Sequence, residues 1–91
     1  MLIPDYSSRF KKELKLMEKR GLDMGKIFAV MIDLVNERPL QLKHKEHKLI
    51  GSFKGFLECK IEPDWLLVYK IDTNANEIYF ARTGTRADLF K

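Results

Sequence analysis

An α+β fold is predicted for this 91-residue chain, with a helical hairpin packed on one face of a twisted antiparallel sheet in the order β-α-α-β-β-β(-β). Three observations predict it. The first half carries apolar residues at helical spacing. The period then shortens towards two. Glycine and turn clusters punctuate the second half.

Leu2-Ile3 is a short apolar start suited to an edge strand. Asp5, Ser7 and Ser8 offer helix caps. Phe10, Leu14 and Met17 then recur at helical spacing, with Lys11, Lys12, Lys15 and Lys19 mostly off that stripe. Gly21 is a natural stop. Asp23 caps a second helix whose stripe is Ile27, Val30, Met31, Leu34 and Val35. Pro39 ends it, since the residue before a proline disfavours helical geometry. Residues 40–46 read as a solvated loop, and Gly51 and Gly55 punctuate short extended segments. Leu57, Cys59 and Ile61 alternate with Glu58, Lys60 and Glu62, as on a half-buried strand. Leu66-Leu67-Val68-Tyr69 is apolar without a break, as a central strand covered on both faces requires. A turn cluster, Asp72 to Asn76, precedes a last strand from Ile78 to Arg82. The whole chain, 1–91, reads as one domain, without repeat or linker.

Composition narrows the function. The chain is 45% hydrophobic, enough for one core, and carries a net charge of +4. That balance suits a polyanion or an acidic protein partner. Cys59 is the sole cysteine, so an intrachain disulfide and a thiolate zinc cluster are excluded and a reducing compartment is expected. No signal peptide or membrane span is expected.

Several residues suit chemistry on RNA, each with a structural alternative. Glu58 and Lys60 share a strand face pointing away from the core, as a site or as a solvated ion pair. The imidazole of His47 is a side chain suited to proton transfer; His44-x-x-His47 on a loop is a poor metal motif. Arg82 and Arg86 flank Thr83-Gly84-Thr85, and their forks fit phosphate oxygens or a carboxylate. Trp65 and Phe90 suit base stacking or core packing. Asp64, after Pro63, suits holding the turn through backbone amides.

Together these residues resemble a known family. Lys45-Glu46-His47-Lys48-Leu49-x-Gly51, Phe53-Lys54-Gly55-Phe56, Glu62-Pro63-Asp64-Trp65-Leu66-Leu67-Val68-Tyr69-Lys70, Arg82-Thr83-Gly84-Thr85 and the terminal Leu89-Phe90 resemble the YafQ-type toxins of the RelE/ParE superfamily. Phe10-Lys11-Lys12 and Arg38-Pro39-Leu40 extend the match over almost the whole chain. The resemblance implies a RelE/ParE-like fold. It also implies a ribosome-dependent, metal-independent endoribonuclease that cleaves mRNA with no cofactor, in the bacterial cytoplasm and away from membranes. A cognate antitoxin, the ribosome and mRNA are the implied partners.

Residue by residue, His47 matches the first active-site histidine of the family and Glu58 an acidic position. Asp64 and Trp65 match the acid and aromatic after the proline. Arg82 matches the phosphate-binding arginine and Phe90 the terminal aromatic. The implied catalytic set is His47, Glu58, Asp64, Arg82 and Arg86, with Lys48, Lys54, Lys60, Trp65 and Phe90 as substrate contacts. Two departures from the family pattern bear on chemistry: close relatives carry histidine where this chain has Lys60 and where it has Arg86; a third, Leu57 where relatives often carry arginine, falls on the core side with Cys59 and Ile61. The second is the family's expected general acid. The alternative to a nuclease is therefore a catalytically weakened binding module for antitoxin or ribosome. The gyrase-directed ParE branch fits less well, given the Pro-Asp-Trp block and His47.

Overall fold

The computed structural model describes residues 1–90. Five strands form one sheet in the order β1-β5-β4-β3-β2. They are β1 (Ile3–Tyr6), β2 (His47–Lys48), β3 (Leu57–Glu62), β4 (Trp65–Asp72) and β5 (Glu77–Gly84). The pairings β2–β3, β3–β4 and β4–β5 are antiparallel, from short connections. The edge strand β1 instead joins β5 in parallel, from Ile3↔Glu77 to Tyr6↔Phe80. A parallel partner needs a long crossover; the two helices and the chain after them supply it.

Helix α1 (Ser8–Lys19) begins where the Ser7 hydroxyl accepts from the Phe10 amide at 2.8 Å. The same hydroxyl donates to the Ala81 carbonyl at 2.7 Å, which fastens the start of α1 to β5. The helix buries Phe10 and Met17. Arg20 is its C-cap, and Gly21 follows at φ +83°. Helix α2 (Met24–Val35) starts at Asp23, whose carboxylate accepts from the Gly25 amide, and buries Ile27, Val30, Met31 and Leu34. It stops at Asn36, three residues before Pro39, and the chain turns through Glu37 at φ +59°.

Both helices pack their stripes into a core with Cys59, Ile61, Trp65, Leu67, Tyr69, Ile78 and Phe80. Trp65 through Tyr69 are buried without interruption. The alternate residues Leu66 and Val68 meet Leu89, Leu49, Phe56, Ala81 and Phe90 in a second apolar cluster. This second layer is built by helix α3 (Arg86–Leu89) and the segment before β3. It keeps β4 dry on both sides, as its apolar run required.

The expected solvated loop at 40–46 is partly docked. Leu42–His44 form a 3₁₀ turn, Lys45 takes a left-handed conformation at φ +46°, and His44 Nδ1 lies 2.5 Å from the Lys60 carbonyl. The buried Tyr69 hydroxyl donates to the Glu46 carboxylate. Burial and this bond push the Tyr69 hydroxyl far above its ordinary pKa. The loop thus delivers His47 to the sheet edge from a fixed position. No helix is long and apolar enough to cross a membrane among the described residues.

Candidate active site

Strand register brings the site together. His47 stands opposite Glu58, Glu58 opposite Val68, and Val68 opposite Arg82, in one row across four strands. Directly opposite residues point to the same face. After β5 the chain turns into α3 through a capping box, in which the Thr85 hydroxyl accepts from the Asp88 amide and the Asp88 carboxylate accepts from the Thr85 amide. That turn carries Arg86 back over β3.

Glu58 is the centre of the cluster. Its Oε1 lies 3.2 Å from Arg86 Nη2 and 3.5 Å from His47 Nε2. Glu58 is 0% exposed, whereas the side chains of His47 and Arg86 are 50% and 57% exposed. Among the described residues, Glu58 Oε2 is buried with no hydrogen-bond partner. A buried carboxylate is costly unless it is paired and hydrogen-bonded. Retaining one under an exposed imidazole and an exposed guanidinium is the mark of a site rather than of core packing.

His47 Nδ1 lies 2.9 Å from the Lys45 carbonyl, so Nδ1 carries a hydrogen and donates. Nε2, facing Glu58, is therefore the nitrogen free to exchange a proton. Asp64 Oδ1 accepts from the Arg86 amide at 3.4 Å. Its carboxylate thus ties the β3–β4 turn to α3 instead of holding its own turn as expected. Phe90 is half-buried, packs edge-on to Phe53 at 5.2 Å, and lies under the Arg86 guanidinium at 5.7 Å. Cys59 is no nucleophile: burial first, then the Glu46 and Glu58 carboxylates, push its thiol up to about 12.

Three sequence expectations are corrected. The charged face of β3 is not simply solvated, because α3 closes over Glu58 and buries it. Trp65 does not present a stacking face: it is 2% exposed and donates from Nε1 to Thr83 Oγ1 at 2.9 Å. The irregular register between Lys60 and Glu62 precedes the turn, and Trp65 sits with the core residues Leu67 and Tyr69. Arg82 is not an open phosphate fork either. Its side chain is 12% exposed and grips Glu13 of α1.

Lys60 is half-buried and lines a separate cavity of about 610 Å³ with Lys26, Lys43 and Lys45. Lys48 and Lys54 lie together on another, of about 540 Å³, beside Ile50 and Phe56. His47, Glu58 and Arg86 line neither cavity.

Sequence reasoning missed Glu13, Glu46 and Phe53. Glu13 had a signal: it lies three residues after Phe10 and four before Met17, on the stripe that faces the core. An acid there calls for a buried partner. Glu46 and Phe53 carried no such signal.

Arg20 and Asp88 anchor α3 from the far side, at 2.7 and 3.2 Å. The Arg20 hydrogen bonds, then the Thr85 amide, hold the Asp88 carboxyl well below the usual carboxylate range. A depressed acid stabilises the fold above its unfolded pKa of about 3.9, and that contribution fades as pH falls through the lower folded value. Asp88→Asn should therefore melt below the unaltered chain at pH 7, and the two melting curves should converge in strong acid. Equal melting temperatures at pH 7 would refute the anchor.

Comparison with known proteins places this geometry. The family model described as "Bacterial toxin of type II toxin-antitoxin system, YafQ" matches residues 2–91. The chain is 42% identical over 87 residues to the mRNA interferase toxin YafQ of Escherichia coli K12, covering 94% of this chain and 92% of that one. The crystal structure of YafQ from E. coli BL21(DE3) superposes with a TM-score of 0.93 at 40% identity, over 100% of both chains. YafQ in the E. coli DinJ–YafQ complex superposes at 0.91 with 40% identity, again over 100% of both. A sheet row carrying His47 and Glu58, closed by an arginine-bearing C-terminal turn, sits on that shared frame: the chain belongs to the YafQ family of bacterial toxins from type II toxin–antitoxin systems.

Proposed function

We propose that this chain is a ribosome-dependent endoribonuclease that cleaves mRNA without a metal ion, and that a cognate antitoxin silences it. The His47–Glu58–Arg86 cluster carries the reading: a solvent-open imidazole and a solvent-open guanidinium are set side by side by one buried carboxylate. His47 Nε2 takes the proton from the 2′-hydroxyl, whose oxygen attacks the adjacent phosphorus. The bond from phosphorus to the 5′-oxygen breaks, leaving a 2′,3′-cyclic phosphate and a 5′-hydroxyl. Arg86 steadies the charge of the crowded phosphorane. A guanidinium holds its protons too firmly to act as a general acid. The proton for the leaving 5′-oxygen comes from water, and the hydroxide left behind takes up the proton that His47 removed, which makes the reaction slower than one served by a histidine at position 86. Lys48, Lys54 and Lys60 supply positive potential along the RNA backbone, and Phe90 offers an aromatic ring beside Arg86.

The likeness to E. coli YafQ, solved in complex with DinJ, supports the antitoxin. A nuclease that acts on translated mRNA operates in the bacterial cytoplasm. One observation favours a second reading, a binding module without efficient cleavage: Arg82 and Arg86 both already hold carboxylates of this chain. Induced expression followed by mapping of mRNA 5′ ends separates the two. Growth arrest with new 5′-hydroxyl ends is expected, and the joint change His47→Ala with Arg82→Ala should relieve it. Arrest without new ends would favour a ribosome-binding module; absence of arrest contradicts the nuclease reading and favours a module that binds the antitoxin alone.

A further inference from the structure

We propose that Glu13 is a positioning residue for the reaction, acting through Arg82; the inference rests on the nuclease reading above. Glu13 lies on α1, outside the row of site residues. Its Oε1 accepts from Arg82 Nε at 2.9 Å, and its Oε2 accepts from Arg82 Nη2 at 2.7 Å. Oε1 also accepts from the Thr83 amide at 3.3 Å, so the carboxylate is locked to the backbone of β5 as well as to the side chain. The other Nη2 contact is the Asp88 carbonyl of α3, at 3.5 Å. Both side chains of the pair are largely buried, at 12% and 15% exposure. The nearest other cation, Arg9 Nε, is 3.9 Å from Glu13 Oε2 and belongs to an exposed side chain.

The bonding pattern matters more than the charge pairing. A carboxylate across Nε and Nη2 fixes both the direction and the plane of a guanidinium. It occupies one edge. Among the described residues, the Arg82 Nη1 group has no hydrogen-bond partner, so this end alone is left for an incoming anion. Arg82 stands two strands from Glu58 in the cross-strand row, with only Val68 between them. Glu13 therefore converts a flexible cation into a directed donor beside the cluster. Oriented donors of this kind lower a barrier, whereas mobile ones mainly add affinity.

The test measures ribosome-programmed mRNA cleavage, as kcat and KM, for the unaltered chain, Glu13→Gln, Arg82→Ala and the double variant. Side-chain ¹⁵N relaxation at Arg82 Nε accompanies it. Glu13→Gln should lower kcat on the order of 10²-fold, the size expected for a small misplacement, with KM within about twofold. In the Arg82→Ala background the same change should cost nothing further, since Glu13 acts only through Arg82. Arg82 Nε should be rigid in the unaltered chain and mobile in Glu13→Gln. A cost that persists without Arg82, a gain in cleavage, or equal rigidity in both proteins would overturn the proposal. If Glu13→Gln does not fold, Glu13→Asp keeps the charge but withdraws the oxygens by one methylene, with the same outcomes expected. No cleavage by the unaltered chain overturns the nuclease reading, and the relaxation data still decide whether Glu13 fixes Arg82.

Discussion

His47→Ala should lower mRNA cleavage by about 10²- to 10⁴-fold, the usual contribution of a positioned general base. The fold should survive. His47 is half-exposed on a two-residue edge strand, and its ring makes one hydrogen bond, to the Lys45 carbonyl, beside the longer contact with Glu58. Substitutions at such positions change stability by roughly 0.5 kcal/mol or less. Glu58 keeps Arg86 as its partner, so no bare buried carboxylate is created. Cleavage kinetics and a melting curve on the same sample check both halves. Undiminished cleavage would remove His47 from the mechanism and with it the role assigned to Glu58 in holding it.

Trp65→Ala should have the opposite signature: loss of the fold, and of activity only as a consequence. The ring is buried in the main core, and its indole N–H is satisfied by Thr83. Truncating a buried tryptophan costs about 3–5 kcal/mol. A domain of this size has only about 5–15 kcal/mol in all. Trp65→Phe keeps most of the buried area and forfeits one hydrogen bond, worth about 1 kcal/mol; Thr83 Oγ1 still donates to the Leu66 carbonyl at 2.8 Å. Cleavage should therefore persist in Trp65→Phe at temperatures where it folds. If Trp65→Ala instead melts like the unaltered chain and loses cleavage, the ring contacts RNA and its core assignment is wrong.

Much of the fold was legible because local chemistry and burial agree along this chain. The stripe Ile27, Val30, Met31, Leu34 is the buried face of α2, and the unbroken run Leu66 to Tyr69 is the strand covered on both sides. The caps Ser7 and Asp23 stand where a side-chain oxygen precedes each apolar period. The edge position of β1 also followed from its brevity, but its direction did not, since nothing local distinguishes a parallel from an antiparallel partner. The loop at 40–46 hid its contacts because its anchor, Tyr69, looked like one more core residue.

The sequence by itself determined the alternation that sets Glu58 opposite the core face of β3 and the aromatic and charged inventory of the C-terminal half. Helical and strand periods are properties of neighbouring residues, so they survive without a partner. Only the tertiary structure decided what those side chains do. Strand register aligned His47 with Glu58, and the turn into α3 laid Arg86 over the same carboxylate, burying it. The packing of α1 on β5 matched Arg82 with Glu13, 69 residues earlier in the chain. Burial and charge pairing depend on what arrives from far along the chain, and that is why an exposed-looking acid became the centre of the site while Trp65 was drawn into the core and one edge of Arg82 was taken by Glu13.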